Sequence, residues 1–178
     1  MILEKVDKLP AFKALDLQEN TIDISKYKGK KVLLSFFRDV SCPFTNLWIE
    51  GLNMHREYFE QNNLVIIGVF NSSKEEIENS KIKERLYYPV IADETLDLYK
   101  RFGINEIEEG KVKVEKNFKN ILDLIKSGKL FMKTKSKILP AEFLIDENQR
   151  IFKAHYGKDY ASHIDKKEIV KWIKPKKI

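Results

Sequence analysis

The chain has 178 residues, of which 43% are hydrophobic and 34% charged, a balance typical of a soluble globular protein and not of a disordered one. Its longest uninterrupted apolar run is seven residues, 64–70, whereas a membrane span needs about 20. The net charge of +6 comes from lysines that alternate with acidic residues. This pattern favours a solvated surface, so we expect neither a nucleic-acid nor a membrane partner.

Cys42 is the single cysteine of the chain. No intrachain disulfide can form, and a reducing compartment such as the cytoplasm fits best. The start of the chain has no apolar segment of the kind found in secretory signals. Neither a repeat nor a Gly/Ser-rich linker interrupts the sequence, so residues 1–178 are predicted to form a single domain.

Short apolar segments at 12–15 and 21–24 flank a polar loop and predict a small hairpin. The runs 31–37 and 64–70 predict strands that are buried on both faces. Between them, apolar residues near helical spacing predict a long helix over 43–62.

The second half of the chain continues with helices and a second hairpin. Ser72 or Ser73 is suited to cap the next helix, and a shorter helix is predicted at 94–102. Three further segments complete the pattern, namely strands at 142–146 and 150–156 around a turn and a helix at 166–173.

Residues 107–137 have no obvious place in a minimal α/β core. They are rich in lysine and have an amphipathic centre, which predicts a helical insertion. The remaining order of strands and helices predicts an α/β fold with a mixed sheet built on a βαβ unit and flanked by helices.

The chemistry of the chain centres on the segment FFRDVSCPFTNLW, residues 36–48. Pro43 is suited to the first position of a helix, which places Cys42 at or beside the N-cap. Unpaired backbone N–H groups and the helix dipole favour a negative charge there, and Arg38 adds a second positive group. Because the thiolate is the nucleophilic form, Cys42 is a candidate reactive thiol; a small buried hydrophobe is the alternative.

Several segments resemble the alkyl hydroperoxide reductase/thiol-specific antioxidant superfamily, in particular its peroxiredoxin-like branch. Cys42-Pro43-Phe44-Thr45 is similar to the Cys-Pro-x-Cys site of thioredoxin-fold proteins, with Thr45 in place of the second cysteine. The segments YPVIAD at 88–93 and LPAEFLID at 139–146 resemble later segments of the same superfamily.

The resemblance implies a thioredoxin-like fold with an N-terminal hairpin extension. It also implies that Pro140 follows a cis peptide bond and lies opposite Cys42, where it shapes the substrate side of the site; a trans proline that opens a strand is the alternative. The chain departs from the typical family pattern P-x-x-x-T-x-x-C at two positions. The pattern would need proline and threonine where this chain has Ser35 and Asp39.

Without a second cysteine, any catalysis must use one cysteine. The resemblance implies a thiol-dependent oxidoreductase or antioxidant protein in which Cys42 attacks a peroxide or a disulfide. An external thiol such as thioredoxin or glutathione would regenerate it. The Thr45 hydroxyl, one helical turn on, is a candidate hydrogen-bond donor to the thiolate, or else bonds its own backbone.

The sequence leaves other questions open. A non-catalytic thioredoxin-fold binding or redox-sensor module is the alternative function, and a homodimer is compatible with the sequence. No metal or organic cofactor is expected. His155 and His163 are either surface residues or members of the site, since both lie in a stretch that resembles the family.

Overall fold

A computed structural model describes residues 2–4, 7–107 and 136–174. The strands have these bounds: β1 Lys13–Leu15, β2 Thr21–Asp23, β3 Val32–Phe36, β4 Val65–Phe70, β5 Val90–Ala92, β6 Ala141–Ile145 and β7 Ile151–Tyr156. The α-helices are α1 Pro43–Asn53, α2 Arg56–Gln61, α3 Lys74–Glu78, α4 Asp97–Arg101 and α5 Lys166–Ile173. Two 3-10 helices lie at Ile24–Tyr27 and Lys83–Arg85.

The central sheet has five strands in the order β5-β4-β3-β6-β7. Strands β3, β4 and β5 run parallel, whereas β6 pairs antiparallel with both β3 and β7. Strands β1 and β2 form the separate N-terminal hairpin. The mixed α/β architecture and the N-terminal hairpin are therefore as predicted. Among the described residues, no helix is long and apolar enough to cross a membrane.

Each face of the sheet has its own apolar cluster. The cluster on one face, here the hairpin face, joins the sheet to the N-terminal hairpin and α4, and includes Phe12, Ile22, Phe36, Tyr99 and Phe143. The cluster on the other face, here the helix face, joins the sheet to α1, α2 and α5, and includes Leu33, Trp48, Phe59, Leu144 and Ile169. Every residue of β3 is buried, Ser35 included, as its mostly apolar sequence predicts.

The prediction of one long helix over 43–62 is wrong, because the helix is interrupted at Met54 and His55, which separate α1 from α2. The His55 imidazole lies 2.9 Å from the Gly51 carbonyl and satisfies a group that the end of α1 leaves without a backbone partner. Helix α4 is also shorter than predicted. Leu96 adopts a left-handed conformation with φ of 63°, and the helix begins only after it.

Strand β5 was not predicted as part of the core. It is three residues long, pairs with Gly68–Phe70 of β4 and bridges Asp16 through Ile91. A segment this short carries little periodic signal in its sequence. Ser73 caps α3 in a capping box with Glu76, as one of the two predicted alternatives requires. The helical insertion predicted at 107–137 falls mainly on residues 108–135, which lie outside the described residues.

Candidate active site

Cys42 is the N-cap residue of α1, at the point where the chain leaves β3 and enters the helix. Its backbone is extended, with φ of −71° and ψ of 118°, and Pro43 occupies the first turn. The Asn46 amide donates two hydrogen bonds to the Cys42 carbonyl, from the backbone N at 3.2 Å and from Nδ2 at 2.9 Å. The residue is 0% exposed, so the sulfur lies beneath the surface.

Thr45 follows Cys42 by one helical turn, and its side chain is buried at 1% exposure. Phe44 beside it is also buried. Both residues are therefore held in fixed packing at the start of α1. The bond from the Thr45 hydroxyl to the thiolate stays a prediction.

Arg38 is almost fully buried in the loop that follows β3. Its Nη1 donates to the Ile138 carbonyl at 2.6 Å and its Nη2 to the Ser136 carbonyl at 2.9 Å. The guanidinium carbon also lies 3.9 Å from the centre of the Tyr160 ring. Arg38 thus ties the loop before Cys42 to the segment that leads into Pro140, a bridging role that the sequence did not predict.

Asp39 stands where the typical family pattern has threonine. One carboxylate oxygen accepts from the backbone N and the hydroxyl of Ser41, at 3.0 and 2.7 Å. The other oxygen accepts from the backbone N of Ser136 at 2.9 Å. Asp39 therefore helps to order the turn before Cys42 and, with Arg38, fastens it to residues 136–138.

The prediction of a cis peptide bond before Pro140 is wrong, since the described residues contain no cis peptide bond. Pro140 comes directly before β6, an extended position in which proline is tolerated without a cis bond. Its carbonyl accepts from the Gly157 backbone N at 2.8 Å, which extends the pairing of β6 with β7. A Cβ atom on Gly157 would lie 2.7 Å from that carbonyl oxygen, so the close approach requires glycine.

A second polar cluster lies on the helix face and was not predicted. Glu142 of β6 is 0% exposed, and its Oε1 lies 2.5 Å from Nδ1 of His163, whose side chain is 7% exposed. The His163 ring stacks on Trp48 of α1, with ring centres 4.6 Å apart and planes within 2°. Trp48 in turn donates from Nε1 to the Ser35 hydroxyl at 3.2 Å.

One sequence signal could have found half of this cluster. Glu142 is a charged residue inside the otherwise apolar strand AEFLI, and such a residue needs a partner when the strand is buried. His163 offered no comparable signal, because its contact with Glu142 spans 21 residues. His155, by contrast, lies directly opposite Glu142 on β7, with its Nε2 3.3 Å from the Ser162 carbonyl.

A cavity of about 350 Å³ lies between α1 and the loop that joins β7 to α5. Its walls combine aromatic, aliphatic and charged side chains, including Phe44, Leu47, His163 and Lys166. Because Phe44 and Trp48 belong to α1, this cavity lies against the helix that Cys42 caps.

Comparison with known families agrees with the predicted resemblance. The model of the AhpC/TSA family matches residues 6–154. The peroxiredoxin Bcp of Bacillus subtilis is 29% identical over 154 residues, which cover 86% of this chain and 85% of that protein. The match to the bcp protein of Haemophilus influenzae is shorter, at 24% identity over 98 residues, and covers 55% of this chain and 63% of that protein.

Solved structures match over nearly the whole chain. The peroxidoxin BcpB of Mycobacterium tuberculosis has a TM-score of 0.68 at 14% identity, and the match covers 97% of this chain and 99% of that one. A thiol peroxidase from Chromobacterium violaceum has a TM-score of 0.66 at 16% identity, with 97% and 87% covered. At these identities the likeness concerns the fold, and it confirms the predicted thioredoxin-like arrangement.

Proposed function

The chain belongs to the AhpC/TSA family, and on that premise we propose that Cys42 is the nucleophile of a thiol-dependent peroxide reductase that uses one cysteine. The observation that carries the proposal is the position of the single cysteine. Cys42 caps the N-terminus of α1, the end of the helix at which backbone N–H groups have no intrahelical partner and a negative charge is favoured.

The reaction divides into two thiol steps. The Cys42 thiolate attacks one oxygen of the peroxide and breaks the O–O bond, which gives a sulfenic acid and, after protonation, water or an alcohol. An external thiol condenses with the sulfenic acid to a mixed disulfide and releases water. A second external thiol then reduces the mixed disulfide, and Cys42 returns as a thiol while the external thiols leave as a disulfide.

The buried sulfur favours a small oxidant. Cys42 is 0% exposed, so a protein disulfide could reach the sulfur only after a local opening, whereas hydrogen peroxide needs far less space. Arg38 orders the loop before Cys42, Pro43 starts the helix and Thr45 supplies a hydroxyl. Pro140 holds the neighbouring chain through its bond to Gly157.

The finer features of this function are also proposals. Thioredoxin or glutathione is the expected class of external thiol, the cytoplasm is the expected compartment and residues 1–178 act as one domain. A homodimer is compatible with this scheme. The absence of a second cysteine is what makes the external thiol necessary.

A redox-sensor or binding module is the second candidate function, and one observation favours it. Asp39 occupies the position of the family's threonine and is engaged with Ser41 and Ser136. A site without that threonine is expected to bind peroxide less well. In this case Cys42 would form a mixed disulfide with a partner and would not turn over.

Stopped-flow fluorescence of the reduced protein mixed with hydrogen peroxide separates the two functions. Trp172→Phe leaves Trp48 as the reporter, and Cys42→Ser in the same background is the matched control. A peroxidase gives a change much faster than that of free cysteine, absent in the control and reversed by added thiol. A response no faster than that of free cysteine would refute the peroxidase and favour the sensor.

A further inference from the structure

A groove lies between α5 and the junction of α1 with α2, at the end of α1 opposite to Cys42. Its volume is about 590 Å³. Seven residues line this groove, here the basic groove: Met54, His55, Tyr58, Lys167, Val170, Lys171 and Lys174. Three of these seven are lysines and none carries a carboxylate, so the groove departs from the alternation of charges that is typical of the rest of the sequence.

The apolar part of the basic groove is open to solvent. Met54 is the C-cap residue of α1 and is 79% exposed, the largest exposed fraction of any large apolar side chain in the part of the chain that the structure describes. Tyr58 of α2 and Val170 of α5 pack against the helix-face cluster and are only partly buried. A flexible thioether adapts to side chains of different shape. The basic groove can therefore accept an apolar side chain from another molecule.

The three lysines of the basic groove share one face of α5. Lys167, Lys171 and Lys174 follow helical spacing, and all three are exposed. None of them forms an ion pair within residues 2–4, 7–107 and 136–174. On the other side of the same helix, by contrast, Glu168 pairs with Lys153 of β7. The described part of the chain thus leaves the positive charge of the groove uncompensated.

The stability of α5 does not explain the lysine at position 167. Lys167 lies in the first turn of the helix, where the helix dipole disfavours a positive charge. Lys171 follows it by four residues, a spacing at which like charges on a helix repel each other. A negatively charged group bound in the basic groove would offset both penalties. The charge of the groove therefore fits an acidic partner better than it fits the isolated chain.

We propose that the basic groove is a docking site for an acidic segment of a partner protein, which inserts an apolar side chain beside Met54 while its carboxylates pair with the lysines of α5. The charge of the groove selects the sign of the partner, and its apolar wall favours a polypeptide over a phosphate backbone. Met54 follows Cys42 by twelve residues, which corresponds to about 18 Å along the helix. The partner therefore docks at a distance from Cys42, and the proposal does not depend on the proposed function.

Fluorescence anisotropy of a labelled peptide tests the proposal on the full chain. The probe is a short fluorescein-labelled peptide in which glutamates surround two leucines that lie one helical turn apart. We expect saturable binding at low salt that weakens as the ionic strength rises, because the lysines are exposed. The matched control peptide has serines in place of the leucines. It should bind at least about fivefold more weakly, because it has no apolar side chain to bury beside Met54.

Lys167→Glu separates docking from stability. The helix dipole favours glutamate in the first turn, so the urea midpoint should not fall, whereas the affinity for the peptide should fall by at least about tenfold. Met54→Ser removes the apolar contact and should lower the affinity by at least about threefold. Lys26→Glu and Leu15→Ser are the matched controls, because they change an exposed lysine and an exposed leucine near the N-terminal hairpin. Both should leave the affinity unchanged.

The proposal is overturned if the peptide shows no saturable binding, or if Lys26→Glu lowers the affinity as much as Lys167→Glu, since net charge alone would then account for it. Single-stranded DNA that binds more tightly than the peptide, with an affinity that Met54→Ser does not change, would make the groove a general polyanion site. A parent protein that sediments as a dimer, and that Lys167→Glu converts to a monomer, would show that a second copy fills the groove. Cys42→Ser should bind the peptide as the parent does, so failure of the peroxidase assay leaves this test intact.

Discussion

The two faces of the central sheet are built on different principles. The hairpin face is an aromatic cluster in which Phe36, Phe102 and Phe143 lie with ring centres 5.0 to 5.8 Å apart. The helix face also has an apolar cluster, but it contains the buried Glu142 and His163 in addition. Both faces are covered by helices, so burial alone does not account for the difference.

The difference shows where the fold has a buried polar contact in place of apolar packing. A buried polar pair is often no more stabilising than apolar residues of the same size, so its presence is weak evidence for a purely stabilising role. The pair lies on the face that carries α1, the helix that Cys42 caps. We therefore expect substitutions on the hairpin face to change stability mainly, and substitutions around loop 157–164 to change the reactivity of Cys42.

The largest effect on stability is expected from Phe143→Ala on the hairpin face. The Phe143 ring is 0% exposed and contacts Phe36, Phe102 and Tyr156 edge-on or tilted, so its removal leaves a cavity. The free energy of unfolding should fall by about 3–5 kcal/mol, as measured by urea denaturation. The alkylation rate of Cys42 in the folded fraction should stay within about twofold of the parent's. A large change in that rate would show that the two faces are not independent.

The next effect in size comes from Tyr99→Phe, which removes the main polar anchor of the hairpin face. The buried hydroxyl donates to the Phe37 carbonyl at 2.6 Å and shares its proton with the Val69 carbonyl at 2.9 Å. Without it the Phe37 carbonyl loses this donor, whereas the Val69 carbonyl keeps the Phe37 backbone N at 2.8 Å. The free energy of unfolding at pH 7 should therefore fall by about 1–3 kcal/mol.

The pH dependence of this variant provides its control. Burial raises the pKa of Tyr99 well above its usual value of 10.0, so the folded protein keeps the hydroxyl neutral while the unfolded chain ionises. The stabilisation is complete below pH 10 and is lost progressively as pH rises above it. The difference between the parent and Tyr99→Phe should therefore narrow above pH 10, and a difference that stays constant there would contradict this account.

Much of this organisation could be predicted from the sequence because it is local. The apolar runs gave β3 and β4 nearly residue by residue, and the Cys-Pro step located the start of α1. The last helix has the predicted bounds of 166–173. Each of these features depends on neighbours within a few residues, which periodicity and capping patterns reveal.

The features that the sequence did not predict are contacts between residues far apart in the chain, or positions where the tertiary structure outweighed a local sequence pattern. Pro140 has no cis peptide bond, and its carbonyl accepts from Gly157, a contact that no local motif shows. The contact between Glu142 and His163 depends on how the loop returns over the sheet, and Arg38 reaches carbonyls about 100 residues further along the chain. The family resemblance singles out Cys42 as the candidate nucleophile, but it does not predict which groups hold the surroundings of that residue.

A moderate effect on stability but a larger one on reactivity is expected from Gly157→Ala. The new Cβ would lie 2.7 Å from the Pro140 carbonyl oxygen and 2.8 Å from that of Ser162, so the loop must move. The free energy of unfolding should fall by about 1–2 kcal/mol. Because the same loop holds Tyr160 and His163, the alkylation rate of Cys42 should rise by about fivefold or more.

Gly29→Ala is the control for this substitution. Gly29 carries a backbone strain penalty on substitution, with φ of 86°, whereas a Cβ there meets no atom within 4 Å. Its effect should be limited to stability. If Gly29→Ala and Gly157→Ala raised the alkylation rate equally, the loop would not be a special determinant of access to Cys42.

The smallest effect is expected from Asp23→Asn, at the N-terminal hairpin beside the hairpin face. The Ser25 hydroxyl and Lys13 lower the pKa of Asp23 from 3.8 to about 2 in the folded protein. A depressed pKa contributes stability above the unfolded value, and this contribution is lost as pH falls from 3.8 towards 2. The urea midpoint of Asp23→Asn should therefore lie slightly below that of the parent at neutral pH and converge with it near pH 2.

The alkylation rate of Cys42 should not change at any pH, because the only charge removed lies on the far side of the sheet from α1. A changed rate would mean that charge on the hairpin face reaches the site, and the contrast between the two faces would then have to be explained by packing alone.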